Sequence, residues 1–434
     1  MIKPLVTGLI GFGNIGSGVL RAMAERAEEL KARLPRPIVL KSIADKDTTT
    51  RRDAPYHKDQ LHGDAAVVLE DPEIEAVMEL IGGVEPARTF VERALRAGKH
   101  VVTANKALLA THGPELLALA AENGVGLLYE AAVGGGIPII RTLQQGLSAN
   151  RLTAVRGILN GTCNYILTRM AEAGLPFDQA LTEAQEFGYA EPDPTYDIEG
   201  YDTAHKIAIL ASLAFGMDIR FDDVFVHGIT DIHPVDIKHA RELGYAIKLL
   251  GIAQRHASDG SVIVRVHPTL VPLASPLGMV GGVFNSILVE GTPIGPTVYY
   301  GRGAGPEATS SAILSDLMAL ASDTHGFNAA RDARLTVRVG ERTLRPIDQL
   351  RTNYYIRFSM VDRPGAMAEI GRALAEHNVS IESMIQHRVE LAQGMATITI
   401  VTHEALEKDV QGAIAAVEAS EKSAGKAFVL RVEE

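Results

Sequence analysis

LVTGLIGFGNIGSGVL, residues 5–20, has the pattern of a short apolar strand, a glycine turn and the start of a helix. Its glycines form G-x-G-x-x-G in that context, which is typical of a dinucleotide-binding turn. Gly11 permits the tight turn, Gly13 lets a pyrophosphate approach the backbone, and Gly16 allows close packing of helix on strand. The alternative is a glycine turn that serves packing alone. The predicted cofactor-binding residues here are Gly11, Phe12, Gly13, Asn14, Ile15 and Gly16.

A second apolar run, IVLKSIAD, ends at Asp45, where this type of fold places the residue that contacts the adenosine ribose. An acid at this position accepts a hydrogen bond from the 2′-hydroxyl and favours NAD, whereas basic neighbours admit NADP. Lys46, Arg51 and Arg52 follow closely. The sequence therefore leaves the choice between NADP and NAD open.

Three further apolar runs, AVMELIGG, KHVVTANK and GVGLLYEAAVGGG, alternate with helical stretches. This alternation predicts an α/β fold with a doubly wound parallel sheet. Ligands of such sheets bind beyond the carboxyl ends of the strands. Thr103, Asn105 and Lys106, at the end of VVTANK, are therefore expected where nicotinamide and substrate meet, although Lys106 could also be an ordinary surface lysine.

The stretch EPDPTYDIEGYDTAHK, Glu191–Lys206, places five acidic residues before one lysine. Pro192 and Pro194 favour extended backbone, so the first acids belong to a loop, and a helix is expected to begin near residues 199–201. Asp202 and Lys206 then share one helix face. Either they form a solvated ion pair, or the stretch holds an ammonium group and delivers a proton.

Upstream, the turn NGT leads into a helix for which Thr162 is a plausible N-cap. Cys163 follows it, and a helix N-terminus lowers a thiol pKa. No histidine base is adjacent in the sequence. We therefore expect Cys163 to pack as a small apolar residue.

The composition excludes several classes of protein. A chain of 434 residues predicts two or three domains, and a net charge of -11 without basic clusters argues against nucleic acid or an anionic membrane as partner. One cysteine fits a reducing compartment. No signal-peptide pattern or membrane-spanning run is visible, so a cytoplasmic protein is expected.

The final segment, from YYIRFSMVDRPG to AFVLRVEE, alternates strand and helix patterns in the order βαββαβ. This unit resembles an ACT domain, a small-molecule sensing module. The resemblance implies L-threonine as effector and signalling through paired modules, and a plain oligomerisation domain is the alternative. The effector contacts that it implies are Asp362, Gly365, Asn378 and Ile381.

Nearly the whole chain resembles homoserine dehydrogenase. The stretches that carry the resemblance are GLIGFGNIGSGV, TANKALLA, YEAAVGGGIPII, NGTCNYIL, GYAEPDPTYDIEGYDTAHK and YYGRGAGPEATSSAILSDL. The resemblance implies reversible NAD(P)H-dependent reduction of L-aspartate 4-semialdehyde to L-homoserine, a step toward threonine, methionine and isoleucine. Cys163 stands where the family more often has Thr. The chain begins at the nucleotide-binding strand, which fits a monofunctional enzyme.

The resemblance also implies roles for individual residues. Lys206 matches the proton donor, and Lys106 would polarise the carbonyl or bind the substrate carboxylate. Glu191 and Asp202 match the residues that hold the substrate ammonium. Of the acids that the resemblance leaves unassigned, Asp197 is the one expected to tune the lysine.

Two further sets of residues are implied in the same way. A monovalent cation, usually Na⁺, would be held by Glu130, through its side chain or carbonyl, and by the backbone oxygens of Val133, Gly135 and Ile137. Gly188 and Gly303 would border the nucleotide or nicotinamide.

The resulting organisation has three domains. Residues 1–138, with a returning segment at about 303–325, form a Rossmann-type NAD(P)-binding domain. Residues 139–302 form an α+β substrate-binding and dimerisation domain, 326–350 a connector, and 351–434 the ACT domain. A homodimer or homotetramer is expected.

Two other functions remain open from the sequence. A phosphorylating semialdehyde dehydrogenase would need Cys163 as the carrier of a thioester. A non-catalytic amino-acid sensor would use the dinucleotide domain only to read redox state. The presence of Lys206 and Glu191 favours the dehydrogenase.

Overall fold

The computed structural model describes residues 3–322, 342–386 and 394–433. The chain forms two compact units, which are described separately. Unit 1 contains Met1–Val155, His205–Asp223 and Asn285–Arg342, and unit 2 contains Arg156–Ala204, Val224–Phe284 and Thr343–Glu434. This division differs from the predicted domain boundaries, which stay a prediction, and residues 326–341 of the predicted connector lie outside the described residues.

The strands are β1 Leu5–Ile10, β2 Ile38–Ala44, β3 Leu61–His62, β4 Ala76–Glu79, β5 His100–Thr103, β6 Leu127–Leu128, β7 Arg151–Ile158, β8 Phe225–Val226, β9 Tyr245–Arg255, β10 Val262–Pro272, β11 Phe284–Thr292, β12 Gly295–Arg302, β13 Arg351–Thr352, β14 Tyr354–Val361, β15 Ile381–Ile385, β16 Met395–Thr402, β17 Ala405–Leu406 and β18 Phe428–Val432. The helices are α1 Asn14–Glu25, α2 Ala27–Arg33, α3 Ala66–Leu69, α4 Ala87–Arg96, α5 Lys106–Glu122, α6 Ile139–Arg141, α7 Gly161–Ala173, α8 Phe177–Glu186, α9 Thr195–Ile198, α10 Tyr201–Phe215, α11 Pro234–Glu242, α12 Pro306–Ser322, α13 Ala366–Glu376 and α14 Glu407–Glu418.

Unit 1 is built on a parallel six-stranded sheet in the order β3-β2-β1-β4-β5-β6. This is the doubly wound arrangement that the alternating pattern predicts, and it confirms the α/β fold. Strands β1, β4 and β5 are mostly buried because helices cover both faces of such a sheet. The late helix α12 packs against α1, and Ile313 and Leu317 join Leu20 in the same apolar core.

Unit 2 contains the strand order β9-β10-β18-β14-β16-β15. Strand β14 alternates buried and half-buried positions over its second half, and its buried Tyr354 and Phe358 pack with Ile370 of α13 and Val410 of α14. The segment from β14 to β18 has the βαββαβ order predicted for an ACT domain, with the short β17 added. Strand β18 also pairs in parallel with β10, so the module joins the sheet of the unit through its last strand.

Two local expectations differ from the structure. The side chain that caps α7 is Asn160, whose Oδ1 accepts from the Cys163 N–H at 2.8 Å, and not Thr162, whose hydroxyl donates to the Tyr189 carbonyl at 2.6 Å. The acidic loop also contains a short helix, α9, directly after Pro194. Proline is tolerated at a helix start because the missing N–H needs no partner there.

Within residues 3–322, 342–386 and 394–433, no helix combines the length and apolar character needed to cross a membrane.

Candidate active site

The glycine turn of unit 1 is shaped by close backbone approaches. Gly11 has a φ of +99°, and a Cβ built on it would lie 2.7 Å from the carbonyl carbon of Leu80. A Cβ on Gly16 would lie 2.5 Å from the Gly11 oxygen. Gly13, by contrast, has no atom within 4 Å of such a position, so its outer face is open for a ligand. The side chain of Phe12 is fully buried against Tyr56, which leaves its backbone as the part that can face a cofactor.

Asp45 directly follows β2 and is held by the same turn. Its Oδ2 accepts from the Phe12 N–H at 2.6 Å, and its Oδ1 accepts from the Asp47 N–H at 2.9 Å. Arg52 donates to the Phe12 carbonyl at 3.0 Å. A cavity of about 450 Å³ is lined by Gly11, Gly13, Ala44, Asp45, Lys46, Gly63, Leu80, Ile81 and Gly82, among others. The residues present therefore fit a dinucleotide.

A second cavity, of about 1020 Å³, shares Gly63 with the first. Its charged lining residues are Arg21, Arg51, Arg52, Asp53 and Lys58. Four cations against one carboxylate make this cavity suitable for an anionic group, such as a phosphate.

The ends of β4 and β5 meet in a buried polar network that contains the predicted Thr103. Glu79 accepts from the Thr103 hydroxyl at 2.7 Å and from the Ile81 N–H at 3.0 Å. Thr103 in turn accepts from the Asn105 N–H at 3.0 Å, and Asn105 caps the helix that Lys106 begins. Sequence reasoning missed Glu79, although an acid that ends the apolar run AVME was a visible signal.

In unit 2, Asn160 brings two of the predicted acids together. Its Nδ2 donates to Asp197 Oδ1 and to Asp202 Oδ2, both at 2.8 Å. We call Asn160, Asp197 and Asp202 the acid clamp. Asp202 is 2% exposed. A carboxylate so deeply buried differs from a solvated surface ion pair, because removing it from water has to be compensated by specific partners.

The remaining predicted residues of the acidic stretch are more exposed. Glu191 lies on an exposed loop, and its backbone carbonyl accepts from the Gln185 side chain at 3.2 Å. Gly188 follows α8 with a φ of +72°. Asp193 accepts from the Thr195 N–H at 3.1 Å, as in an Asx turn, and this hydrogen bonding with Thr195 lowers its pKa.

Lys206 lies on α10 in unit 1 and is 7% exposed, and Lys106 is the half-buried first residue of α5. The two helices line one apolar cavity through Leu109 of α5 and Ile209 of α10. Helix α10 begins in unit 2, where it carries Asp202, and continues in unit 1. One helix thus carries both the buried acid and the buried lysine.

The predicted cation-binding loop lies in unit 1 and is held by several hydrogen bonds and an ion pair. Both carboxylate oxygens of Glu130 accept backbone N–H groups, from Ile140 at 2.8 Å and from Arg141 at 2.9 Å. The Glu130 N–H donates to Asp316 at 2.9 Å, and Arg141 pairs with Asp316 at 3.0 Å. Burial raises the pKa of Glu130, and it raises the pKa of Asp316 to about 7. The Glu130 side chain therefore anchors the loop, which favours its carbonyl as a ligand.

The other predicted cation ligands are backbone oxygens beside Gly303. Gly135 has a φ of +49°, and a Cβ on it would lie 2.7 Å from the Gly303 oxygen. Gly303 in turn packs against the buried Asn285 amide, which a Cβ on Gly303 would overlap. Val133 and Ile137 are buried, and the Ile137 carbonyl already accepts from the Ile139 N–H at 2.7 Å. Since a carbonyl oxygen has two lone pairs, this loop fits a cation held by backbone oxygens.

Side chains offer no competing metal site in the described parts of the chain. There, no cluster of three or more His, Cys, Asp and Glu residues is arranged to hold a metal ion.

The predicted effector residues lie at the turns of the βαββαβ unit. The Asp362 N–H donates to the Gly394 carbonyl at 2.8 Å, and Gly365 has a φ of +88° at the start of α13. Asn378 has a φ of +59° after the same helix, and Ile381 begins β15 and is 38% exposed. Their role in effector binding stays a prediction.

Comparison with known proteins identifies three family models along the chain. The model for the homoserine dehydrogenase NAD binding domain matches residues 11–130, that for homoserine dehydrogenase matches 138–318, and that for the ACT domain matches 354–421. A homoserine dehydrogenase from Pseudomonas aeruginosa is 41% identical, over 100% of both chains.

Solved structures agree with this assignment. A homoserine dehydrogenase from Thiobacillus denitrificans superposes with a TM-score of 0.90 at 41% identity, covering 100% of this chain and 99% of that one. A hyperthermophilic archaeal homoserine dehydrogenase in complex with NADPH has a TM-score of 0.61 at 25% identity, covering 73% of this chain and 97% of that one. This chain therefore belongs to the homoserine dehydrogenase family, whose members are NAD(P)-dependent oxidoreductases.

Proposed function

We propose that the acid clamp and Lys206 carry the reduction of L-aspartate 4-semialdehyde to L-homoserine, and its reversal. The observation that supports this most is the pair of Asn160 hydrogen bonds, which fixes the carboxylates of Asp197 and Asp202 in one place. Two carboxylates held together form a strong site for an ammonium group. We assign Asp202 and Glu191 to the substrate ammonium and Asp197 to tuning the charge around the lysine.

Lys206 is the proposed proton donor. A reduced nicotinamide bound at the glycine turn would supply the hydride to the aldehyde carbon, and negative charge would then develop on the carbonyl oxygen. The Lys206 ammonium donates a proton to that oxygen, which completes the alcohol, and takes it back in the reverse direction. Lys106, at the N-terminus of α5, polarises the same carbonyl or binds the substrate carboxylate.

We propose that the cofactor is NADP(H) in preference to NAD(H). Asp45 is already held by two backbone N–H groups, and the neighbouring cavity carries Arg21, Arg51, Arg52 and Lys58. A 2′-phosphate is an anion that such a set of cations favours. The archaeal relative solved with NADPH is consistent with this choice. Replacing Arg51 by Glu should raise KM for NADPH more than KM for NADH.

We further propose that a monovalent cation, with Na⁺ as the first candidate, occupies the Glu130–Ile137 loop. It would be held by the carbonyl oxygens of Glu130, Val133, Gly135 and Ile137 and would hold the loop against Gly303. Its role is to stiffen the loop. Activity measured in Na⁺, K⁺ and tetramethylammonium buffers of equal ionic strength tests this, and equal rates in all three would rule out a required cation.

The ACT domain suggests regulation by an amino acid, and we propose L-threonine, the end product of one branch of the pathway. Asp362, Gly365, Asn378 and Ile381 are the proposed contacts. Titration of L-threonine into the purified protein, with L-serine and L-methionine as controls, should lower the rate. If L-threonine neither binds nor changes the rate, this proposal is ruled out. We also propose a homodimer or homotetramer and a cytoplasmic location, the latter because a chain with one cysteine forms no internal disulfide and fits a reducing compartment.

One assay tests the proposed reaction directly. The purified protein is mixed with L-homoserine and NADP⁺ or NAD⁺, and the absorbance of the reduced nicotinamide is followed. Production of the reduced cofactor with homoserine, but not with L-threonine or L-serine, is expected.

A thioester mechanism is disfavoured because Cys163 is fully buried and its thiol donates to the Asp197 carbonyl at 3.2 Å. Cys163→Ser should therefore remain active.

A further inference from the structure

Among the described residues of unit 1, Glu79 is the most deeply buried acid to which no role has yet been given. It is 1% exposed and ends β4, directly opposite Thr103 at the end of β5. Its Oε2 accepts from the Thr103 hydroxyl and its Oε1 from the Ile81 N–H. Burial raises the pKa of Glu79, and the hydrogen bonds from Thr103 and the backbone oppose that rise. A carboxyl group is expensive to bury, so its retention calls for an explanation beyond packing.

The hydrogen bonds of Glu79 continue to the start of α5. Thr103 accepts from the Asn105 N–H at 3.0 Å, and Asn105 uses its side-chain oxygen to accept from the Leu108 N–H at 3.1 Å. That second bond caps the helix. Lys106 is the first residue of this helix, so the direction in which its side chain leaves the backbone depends on the chain Glu79–Thr103–Asn105.

The same carboxylate also fixes the loop after β4. Ile81 donates to Glu79, and the Asn105 Nδ2 donates to the Gly83 carbonyl at 2.6 Å. Leu80, Ile81 and Gly82 line the dinucleotide cavity, and the Leu80 backbone lies against Gly11. One buried side chain therefore joins the glycine turn, the loop after β4 and the N-terminus of α5.

We infer that Glu79 is a positioning residue, which holds Thr103, the loop 80–83 and Lys106 in register so that the nicotinamide end of the dinucleotide and the substrate carbonyl meet. This inference rests on the proposed roles of Thr103 and Lys106. Glu79 touches neither ligand and acts through these neighbours. A glutamine in its place has the same shape but can satisfy only one of the two donors with its oxygen, because its NH₂ group is itself a donor.

The test compares Glu79→Gln with a matched variant at the other end of the same strand. Glu75 precedes β4 and pairs with Arg36 at 2.7 Å, so Glu75→Gln makes the same chemical change away from the cavity. Glu79→Gln should lower kcat by about 100-fold, the size expected for a small misplacement of reacting groups, with a smaller change in KM for the dinucleotide. Glu75→Gln should lower the thermal midpoint without changing kcat.

A double-mutant cycle with Lys106→Met separates the inference from the proposed function. If Glu79 acts through Lys106, the two changes together should cost little more than Lys106→Met alone. The positioning role would be overturned if the losses in kcat from the two single changes multiplied in the double variant. It would also be overturned if kcat of Glu79→Gln fell only in proportion to the lost folded fraction. Slow turnover in Lys106→Met together with normal turnover in Glu79→Gln would rule out only this inference. Normal turnover in Lys106→Met removes the proposed role of Lys106 and this inference with it.

Discussion

Asn160 uses a single side-chain amide for three hydrogen bonds. Its oxygen caps α7, and its nitrogen holds Asp197 and Asp202. The amide hydrogens stabilise the charged forms of both acids while they lie close together. The acids therefore depend on a residue that carries no charge and that lies far from them in the sequence.

The proposed role of the acid clamp predicts that Asn160→Ser impairs substrate binding selectively. Serine keeps an oxygen that can cap α7, so the cap contribution of about 1 kcal/mol is largely retained. The two N–H donors are lost, so each acid loses one hydrogen bond that stabilises its charge beside the other acid. We expect KM for homoserine to rise by at least about tenfold, equivalent to the loss of one charge-assisted hydrogen bond of about 1.5–3 kcal/mol.

Steady-state kinetics with varied homoserine and varied NADP⁺ measure this effect. The matched control is Asn123→Ser, because Asn123 is an exposed residue directly after α5 whose side chain donates to the Leu119 carbonyl. Equal KM values for homoserine in Asn160→Ser and Asn123→Ser would contradict the assigned role of the clamp.

At the scale of elements, the loop 130–137 and the segment between β12 and α12 approach each other through glycines. Gly135 and Gly303 allow two backbones to touch, and the Glu130 side chain holds the loop to the N-terminus of α6. This contact joins the end of the parallel sheet to a segment that returns from much later in the chain. The resemblance, and not the local sequence, predicts the returning segment at about 303–325, because its residue pattern does not indicate which part of the backbone it contacts.

Gly135→Ala should lower both stability and activity by more than the cost of placing a Cβ at a left-handed φ. A left-handed φ costs a residue with a Cβ about 1–2 kcal/mol, and here the Cβ would also collide with the Gly303 carbonyl. Gly124→Ala is the matched control, since Gly124 has a φ of +67° with no atom within 4 Å of a built Cβ. Thermal unfolding of both variants should show a lower midpoint for Gly135→Ala, and equal midpoints would contradict the close approach.

The sequence predicted the elements better than it predicted their polar contacts. Glycine and apolar patterns are local, so the parallel sheet, the G-x-G-x-x-G turn and the βαββαβ module were accessible and are confirmed. The acid clamp and the Glu79 network join residues far apart in sequence, and their hydrogen bonds leave no periodic trace. The cap of α7 was assigned to Thr162 because both Thr and Asn suit that position and only the backbone path distinguishes them.

At the scale of unit 2, the ACT module is part of a continuous sheet. β18 pairs with β10, and the following Glu433 lies between two buried arginines, Arg156 of β7 and Arg265 of β10. The Arg265 Nη2 donates to Glu433 Oε2 at 2.8 Å. Burial alone would raise the pKa of Glu433, but Arg265 and Arg156 outweigh it and hold the pKa below its usual value. The end of the ACT module is thereby bonded to β7, the strand that leads to Asn160.

Glu433→Gln should destabilise the protein strongly at neutral pH. It removes the carboxylate that pairs with two buried arginines, and breaking a buried pair costs about 3–5 kcal/mol. Because the folded pKa is lowered, the stabilisation by Glu433 is complete above its unfolded value of about 4.3 and is lost as the pH falls through the folded value. The difference in the free energy of unfolding between wild type and variant should therefore shrink below about pH 4.

Urea denaturation at several pH values measures this difference. Glu404→Gln is the control, because Glu404 and Arg351 form an exposed pair at 3.8 Å and such pairs contribute about 0–1 kcal/mol. A loss in Glu433→Gln no larger than in Glu404→Gln would refute the buried junction.

The most direct test of the proposed reaction is turnover of the Lys206→Met variant, with NADP⁺ binding measured on the same sample. Methionine keeps the apolar stem and most of the length of the side chain and removes the ammonium group that carries the proton. Turnover should fall by about 10²–10⁴-fold, the range for a lost general acid, while NADP⁺ binds as in wild type. Lys238→Met, at an exposed lysine of α11, should keep full activity. Near-normal turnover in Lys206→Met would contradict the assignment of the proton to Lys206.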